Sequence, residues 1–105
     1  MKYYLMTALR VTMAKKVHAS HILVKDEVQA KNLMAELRSG GNFESLAKKF
    51  SNCPSGKKGG DLGWFERNQM VPEFEKAAFG GRKGDIIGPV KTQFGWHLIK
   101  ITDTK

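Results

Sequence analysis

The first run of apolar positions, Val17–Val24 (VHASHILV), is rich in apolar and β-branched residues, which predicts a strand. Asp26 follows as a stop and as a helix N-cap. The spacing then changes. From Asp26 to Ser39, Val28, Leu33, Met34 and Leu37 approximate a period of 3.6, and Glu27 can pair with Lys31 one turn on, so a helix is predicted. Gly40-Gly41 ends it. Asn42 caps a second, shorter helix with Phe43, Leu46, Ala47 and Phe50 as its apolar stripe.

Regular spacing fails from Ser51 to Phe74. This stretch holds the only cysteine, two of the three prolines and four of the eleven glycines. A short chain that spends this many residues on irregular backbone is expected to place function there. Leu62, Met70 and Phe74 are spread through it, so it reads as one wall of a small apolar site, with histidines from the two ends of the chain as the other wall. Within it Asp61–Phe65 fits a short strand. Val71–Phe79 fits a third helix, with Pro72 in the first turn, where its missing N–H costs little, and Gly80-Gly81 at the end. Ile86–Val90 is a short strand or a turn, Gln93–Gly95 a turn, and Trp96–Thr102 the last strand. With few segments long enough for parallel crossovers, the fold class is α+β with a small, mostly antiparallel sheet.

Length and composition bound this picture without redrawing it. At 105 residues the chain makes one domain, and 41% hydrophobic content supports one modest core. A single cysteine cannot close an internal disulfide, which fits a reducing, cytoplasmic setting. No apolar run approaches the ~20 residues that span a bilayer. Lys2 and the short apolar stretch after it resemble the start of a secretory signal, but Arg10 interrupts it and the cleavage pattern is weak. Met13-Ala14-Lys15-Lys16 looks like a second start. Residues 1–13 are therefore expected to be a loosely attached extension and 14–105 the domain. The net charge is +8; Lys2 and Arg10 carry two of these, leaving +6 on residues 14–105. Such a balance favours anionic partners, a membrane surface or nucleic acid. Lys48, Lys49, Lys57 and Lys58 flank the irregular stretch with no acid between Glu44 and Asp61, and are the residues for such a contact, although the aromatic interleaving of a single-strand platform is missing. The expected state is a monomer.

The polar candidates are His18, His21, Cys53 and His97. His-x-x-His plus a cysteine suggests zinc, but residues three apart on a strand point to opposite faces and no C-x-x-C accompanies them, so no metal and no cofactor is expected. A Cys53–histidine nucleophile is the next reading, yet nothing supplies an oxyanion hole or an activating helix N-terminus. The bland reading is a small buried cysteine and histidines serving as hydrogen-bonding groups in a sheet. Among apolar candidates, Leu62, Met70 and Phe74 could be plain core. Met70 beside Gln69, ahead of a proline-capped helix, suits an adaptable pocket instead. Phe94, in a turn beside Gly95, is an odd place for a core anchor.

HILVK at 21–25, FSNCPSGKKGGDLGWF at 50–65, QMVPEFEKAAF at 69–79 and GPVKTQFGWHLIKI at 88–101 together resemble the motif blocks of the parvulin peptidyl-prolyl cis-trans isomerases. Four blocks in order, across residues 14–103, make the resemblance specific. It implies a four-stranded antiparallel sheet surrounded by about four helices, an FKBP-like superfold in β-α-α-α-β-α-β-β order, with a further helical turn between 51 and 60. It also implies acceleration of rotation about X–Pro bonds in flexible or unfolded protein segments, without cofactor or covalent intermediate. By position, His21 and His97 would form a paired-histidine network supported by Thr92, and Cys53 would take the loop place held by cysteine or aspartate. Leu62, Met70 and Phe74, with Gln69 beside them, would form the proline pocket, narrowed by Phe94. His18 matches no catalytic position of the family. Lys25 runs directly into Asp26-Glu27, so the long basic loop of the phosphorylation-directed branch is absent, and the resemblance is to the branch that accepts ordinary residues before proline. A binding or chaperone module that holds proline segments without turning them over would use the same pocket.

Overall fold

The computed structural model describes residues 14–105; the extension expected at 1–13 lies outside them. The elements run β1 (Lys16–Val24), α1 (Glu27–Arg38), α2 (Phe43–Phe50), a 3₁₀ turn (Pro54–Lys58), β2 (Asp61–Glu66), α3 (Pro72–Phe79), β3 (Ile86–Thr92) and β4 (Gly95–Thr104). The four strands form one antiparallel sheet in the order β2-β1-β4-β3. The α+β class and the element order stand as expected, with three α-helices and one 3₁₀ turn around the sheet.

Differences lie at boundaries. Asp26 and Ser39 are caps, not helical residues: the Asp26 carboxylate accepts from the Val28 N–H at 3.2 Å. Asn42 likewise caps α2 by accepting from the Ser45 N–H at 2.8 Å. Ile86–Val90, a strand or a turn by sequence, belongs to a strand that reaches Thr92, and Gly95 belongs to β4 rather than to the turn. β3 contains a cis Gly88–Pro89 bond where its register to β4 shifts.

Side-chain alternation divides the core between the two faces of the sheet. Ile22, Val24 and Leu98 pack beneath α1 and α2, against Leu33, Met34, Leu37, Phe43 and Leu46. Val17, Ala19, Ile99 and Ile101 face the other way, onto Phe65 and the Phe74, Ala78 and Phe79 stripe of α3. The short α3 covers only part of its face. The uncovered remainder, between α3 and the irregular stretch, is where the cleft opens.

That stretch is fastened to β1. The His21 N–H donates to the Gly60 carbonyl at 2.9 Å, the Asn52 N–H to the Leu23 carbonyl at 2.7 Å, and the Leu23 N–H to Ser51 Oγ at 3.1 Å. Gly60 is the tightest point: its φ is +86°, and a Cβ there would lie 2.3 Å from the His21 carbonyl oxygen. The two ends of the described chain are also tied together. The Lys15 N–H donates to the Lys105 carbonyl at 2.7 Å and the Lys105 N–H to the Lys16 carbonyl at 2.9 Å.

Candidate functional site

A cleft of about 510 Å³ is lined by His21 and Leu23 of β1, Cys53 and Pro54 at the start of the 3₁₀ turn, and Leu62 of β2. Gln69, Met70, Val71 and Phe74, leading into α3, form the facing wall, and Phe94 and His97 close it from the β3–β4 hairpin. No Asp, Glu, Lys or Arg is among these residues. The cleft therefore offers an apolar surface with two histidines at its back, a size and character suited to a small hydrophobic group.

His21 and His97 come from strands 76 positions apart in sequence, brought side by side by the β1–β4 pairing. Their rings stack at 5.2 Å between centroids with an interplanar angle of 20°, and one Nδ1 donates to the other across 3.0 Å. The outer nitrogens are held as well: His97 Nε2 lies 2.7 Å from Thr92 Oγ1, and His21 Nε2 lies 3.2 Å from Ser55 Oγ. All four ring nitrogens are engaged. Phe74 presents its ring edge-on to both imidazoles, at 5.6 Å from His21 and 5.2 Å from His97.

This environment favours neutral rings. Burial, reinforced by the neighbouring His97, pushes His21 down to about 4 from an ordinary 6.5, and burial pushes His97 down too. The unfolded chain then binds a proton that the folded one refuses as pH falls from 6.5 toward 4. The fold loses about 3 kcal/mol through His21 alone over that window and nothing more from it below. Urea unfolding followed between neutral pH and pH ~4 should show this decline; a flat profile would mean that the pair is not buried neutral.

The residues named from the sequence separate into four groups. His21, Cys53, Leu62, Gln69, Met70, Phe74, Phe94 and His97 all line the cleft. Phe94 is 59% exposed and stands at the rim, while Gln69 is anchored from behind, its Oε1 accepting from the Glu66 N–H at 2.6 Å. Thr92 does not reach the cleft; it is buried behind His97 and acts through that ring. Lys48, Lys49, Lys57 and Lys58 are all exposed, and none is part of the cleft wall. They stand at the C-terminal ends of α2 and of the 3₁₀ turn, outside it.

His18 is on the opposite face of the sheet from His21, edge-on to Trp64 at 5.3 Å and bonded to Thr102 Oγ1. Among the described residues no group of three or more His, Cys, Asp or Glu side chains converges to hold a metal ion. Sequence reasoning missed Leu23, Pro54, Val71 and Ser55. Leu23 was within reach, being two residues from His21 on the same strand face. Ser55 was not, because only the 3₁₀ turn aims it at His21.

Fold and site together define a small α+β domain in which an apolar cleft is backed by an interlocked histidine pair. The chain belongs to the PPIC-type PPIASE domain family, whose sequence model matches residues 3–105. The foldase protein PrsA of Geobacillus kaustophilus is 53% identical over 89 residues, 84% of this chain and 32% of that protein. Among solved structures, the peptidylprolyl isomerase PrsA from Bacillus anthracis superposes with a TM-score of 0.86 at 39% identity, covering 99% of this chain and 54% of that one. NmPin, the parvuline of Nitrosopumilus maritimus, gives a TM-score of 0.75 at 43% identity over 84% of this chain and 96% of its own. The chain thus spans about a third of the length of the curated relatives it matches.

Proposed function

We propose that residues 14–105 catalyse cis-trans isomerisation of X–Pro bonds in flexible or unfolded protein segments. The observation that carries this reading is the cleft itself: an apolar recess with no charged wall, closed at the back by two neutral imidazoles whose nitrogens are already committed. Rotation about the bond faces a barrier of about 18–20 kcal/mol and takes tens to hundreds of seconds unaided. Twisting breaks amide resonance, so charge separation between nitrogen and oxygen falls on the way to the transition state. A site that holds the twisted amide better than either planar form lowers the barrier. Leu62, Met70 and Phe74 would grip the proline ring while the preceding carbonyl turns. Water kept out of an uncharged recess no longer favours the charge-separated planar amide.

The histidines orient rather than shuttle protons, since no ring nitrogen is spare. The same fact weighs against a Cys53 nucleophile: neither imidazole has a free nitrogen to deprotonate the thiol. Cys53→Ser and Cys53→Asp should keep much of the exchange rate. Complete loss in Cys53→Asp with the fold intact would revive covalent catalysis.

The deciding experiment is exchange spectroscopy by NMR on short X–Pro peptides with catalytic amounts of the protein. Enhanced exchange establishes turnover, and peptide shifts without exchange establish a holding module in its place. A panel varying the residue before proline, phosphoserine included, tests the substrate class. β1 passes to α1 through Lys25 and Asp26 alone, without a basic loop, so ordinary residues are expected to be preferred and a strong phosphoserine preference would contradict the assignment. A contact between Lys48, Lys49, Lys57 and Lys58 and anionic membranes is a second proposal resting on their shared exposure. Vesicle binding unchanged by reversing these four charges would remove it.

A further inference from the structure

We infer that Ser55 is the terminal acceptor of a one-way hydrogen-bond chain that sets the tautomers of His21 and His97, and is thereby a positioning residue for the cleft; its kinetic consequence, though not its geometry, rests on the isomerase reading. The direction follows from proton counting. The Phe94 N–H donates to Thr92 Oγ1 at 3.1 Å, and the same hydroxyl meets His97 Nε2 at 2.7 Å. A hydroxyl has one proton to give. Thr92 is buried, and Oγ1 has no third partner among the described residues. If His97 Nε2 were the donor, the threonine proton would be left buried without an acceptor, a costly state. Thr92 therefore donates to His97 Nε2.

The remaining steps are forced. A neutral imidazole has one proton, so that of His97 is on Nδ1 and is donated to His21 Nδ1 across 3.0 Å. The His21 proton is then on Nε2, which faces Ser55 Oγ at 3.2 Å. The chain runs from the Phe94 backbone through Thr92, His97 and His21 to Ser55. Reversing it requires every member to turn together, and bonds aligned in one sense reinforce one another.

Its two ends come from separate segments at the cleft. Phe94 stands at the rim, and Ser55 is on the 3₁₀ turn next to Pro54, which with Cys53 also lines the cleft. Ser55 is not itself among the residues that line the cleft, so it acts through His21. Being only half-buried, it is also the one link that a substitution can remove without opening a hole in the core.

The test is heteronuclear NMR of the histidine ring nitrogens in the full chain at neutral pH, with Ser55→Ala and Ser55→Thr as variants. The wild type should show His97 protonated at Nδ1 and His21 at Nε2. Ser55→Ala should blur this pattern into a mixture of the two directions and lower kcat about fivefold at nearly constant KM, the scale of one hydrogen bond. Ser55→Thr, which keeps the hydroxyl, should restore both. The opposite tautomers in the wild type, or tautomers unmoved by Ser55→Ala, would overturn the inference. Tautomers that respond as stated in a protein without measurable exchange would uphold the role of Ser55 and remove the isomerase reading instead.

Discussion

Phe74→Ala should cost about 3–5 kcal/mol of stability and abolish measurable exchange, the largest effect of any single truncation at the cleft. The ring is 3% exposed and does two jobs at once. On one side it packs into the core beneath α3, tilted against Phe65 at 6.0 Å. On the other it forms the cleft wall and holds both imidazoles edge-on. Truncation leaves a cavity that joins the cleft and admits water to the histidine pair. For a domain of this size the loss is a large share of a total on the order of 5–15 kcal/mol. Phe74→Leu separates the two jobs: it should stay folded under conditions that unfold the alanine variant, yet exchange more slowly, because a leucine cannot present a ring edge to the imidazoles. Urea unfolding and peptide exchange on the same samples decide the matter. A stability loss below about 1 kcal/mol in Phe74→Ala would show that the core does not depend on this ring.

Gly60→Ala should be nearly as damaging, for a backbone reason. A Cβ at this position would stand 2.3 Å from the His21 carbonyl oxygen, and the φ of +86° is itself unfavourable for alanine. Strain of this kind costs about 1–3 kcal/mol before any clash is counted. The clash cannot be relieved by a side-chain swing, because the atom in the way is the backbone of His21. Either the 3₁₀ turn or β1 must move, and a shift of about 1 Å at His21 is of the size that costs roughly a hundredfold in rate. The prediction is reduced stability together with a loss of exchange out of proportion to it, measured under conditions where the variant is still folded. Full activity in folded Gly60→Ala would mean that the 3₁₀ turn can slide without disturbing the histidine.

How far the sequence foretold the structure depended on whether the information was local. α1 and α2 were legible because each combined a helical apolar stripe with a capping side chain, and Asp26 and Asn42 do accept the expected backbone protons. β3 was undecided for a physical reason. Its residues are half-buried along nearly the whole strand, and Gly88-Pro89 interrupts it, so no alternation of period two could show. The 3₁₀ turn was invisible to periodicity, with five residues and no apolar stripe. The site divided in the same way. Spacing put His18 and His21 on opposite faces, which the strand obeys, but nothing local joins His21 to His97. Only the resemblance to a known motif set paired those residues. Thr92 was named through it too, as a support of the pair, and its hydroxyl stands behind His97, 2.7 Å from Nε2.

The paired ends of the domain have a mechanical consequence. Ala14 leads into β1 and Lys105 follows β4, and the two strands run antiparallel with their termini hydrogen-bonded side by side. Tension applied through those ends would act across the ladder, not along it, loading its bonds one at a time like a zipper. Set into a longer polypeptide, such a domain adds almost no length between its flanks while folded. Under pull it would open from the Lys16 end first, with the histidine pair farther along the same two strands among the later contacts to part.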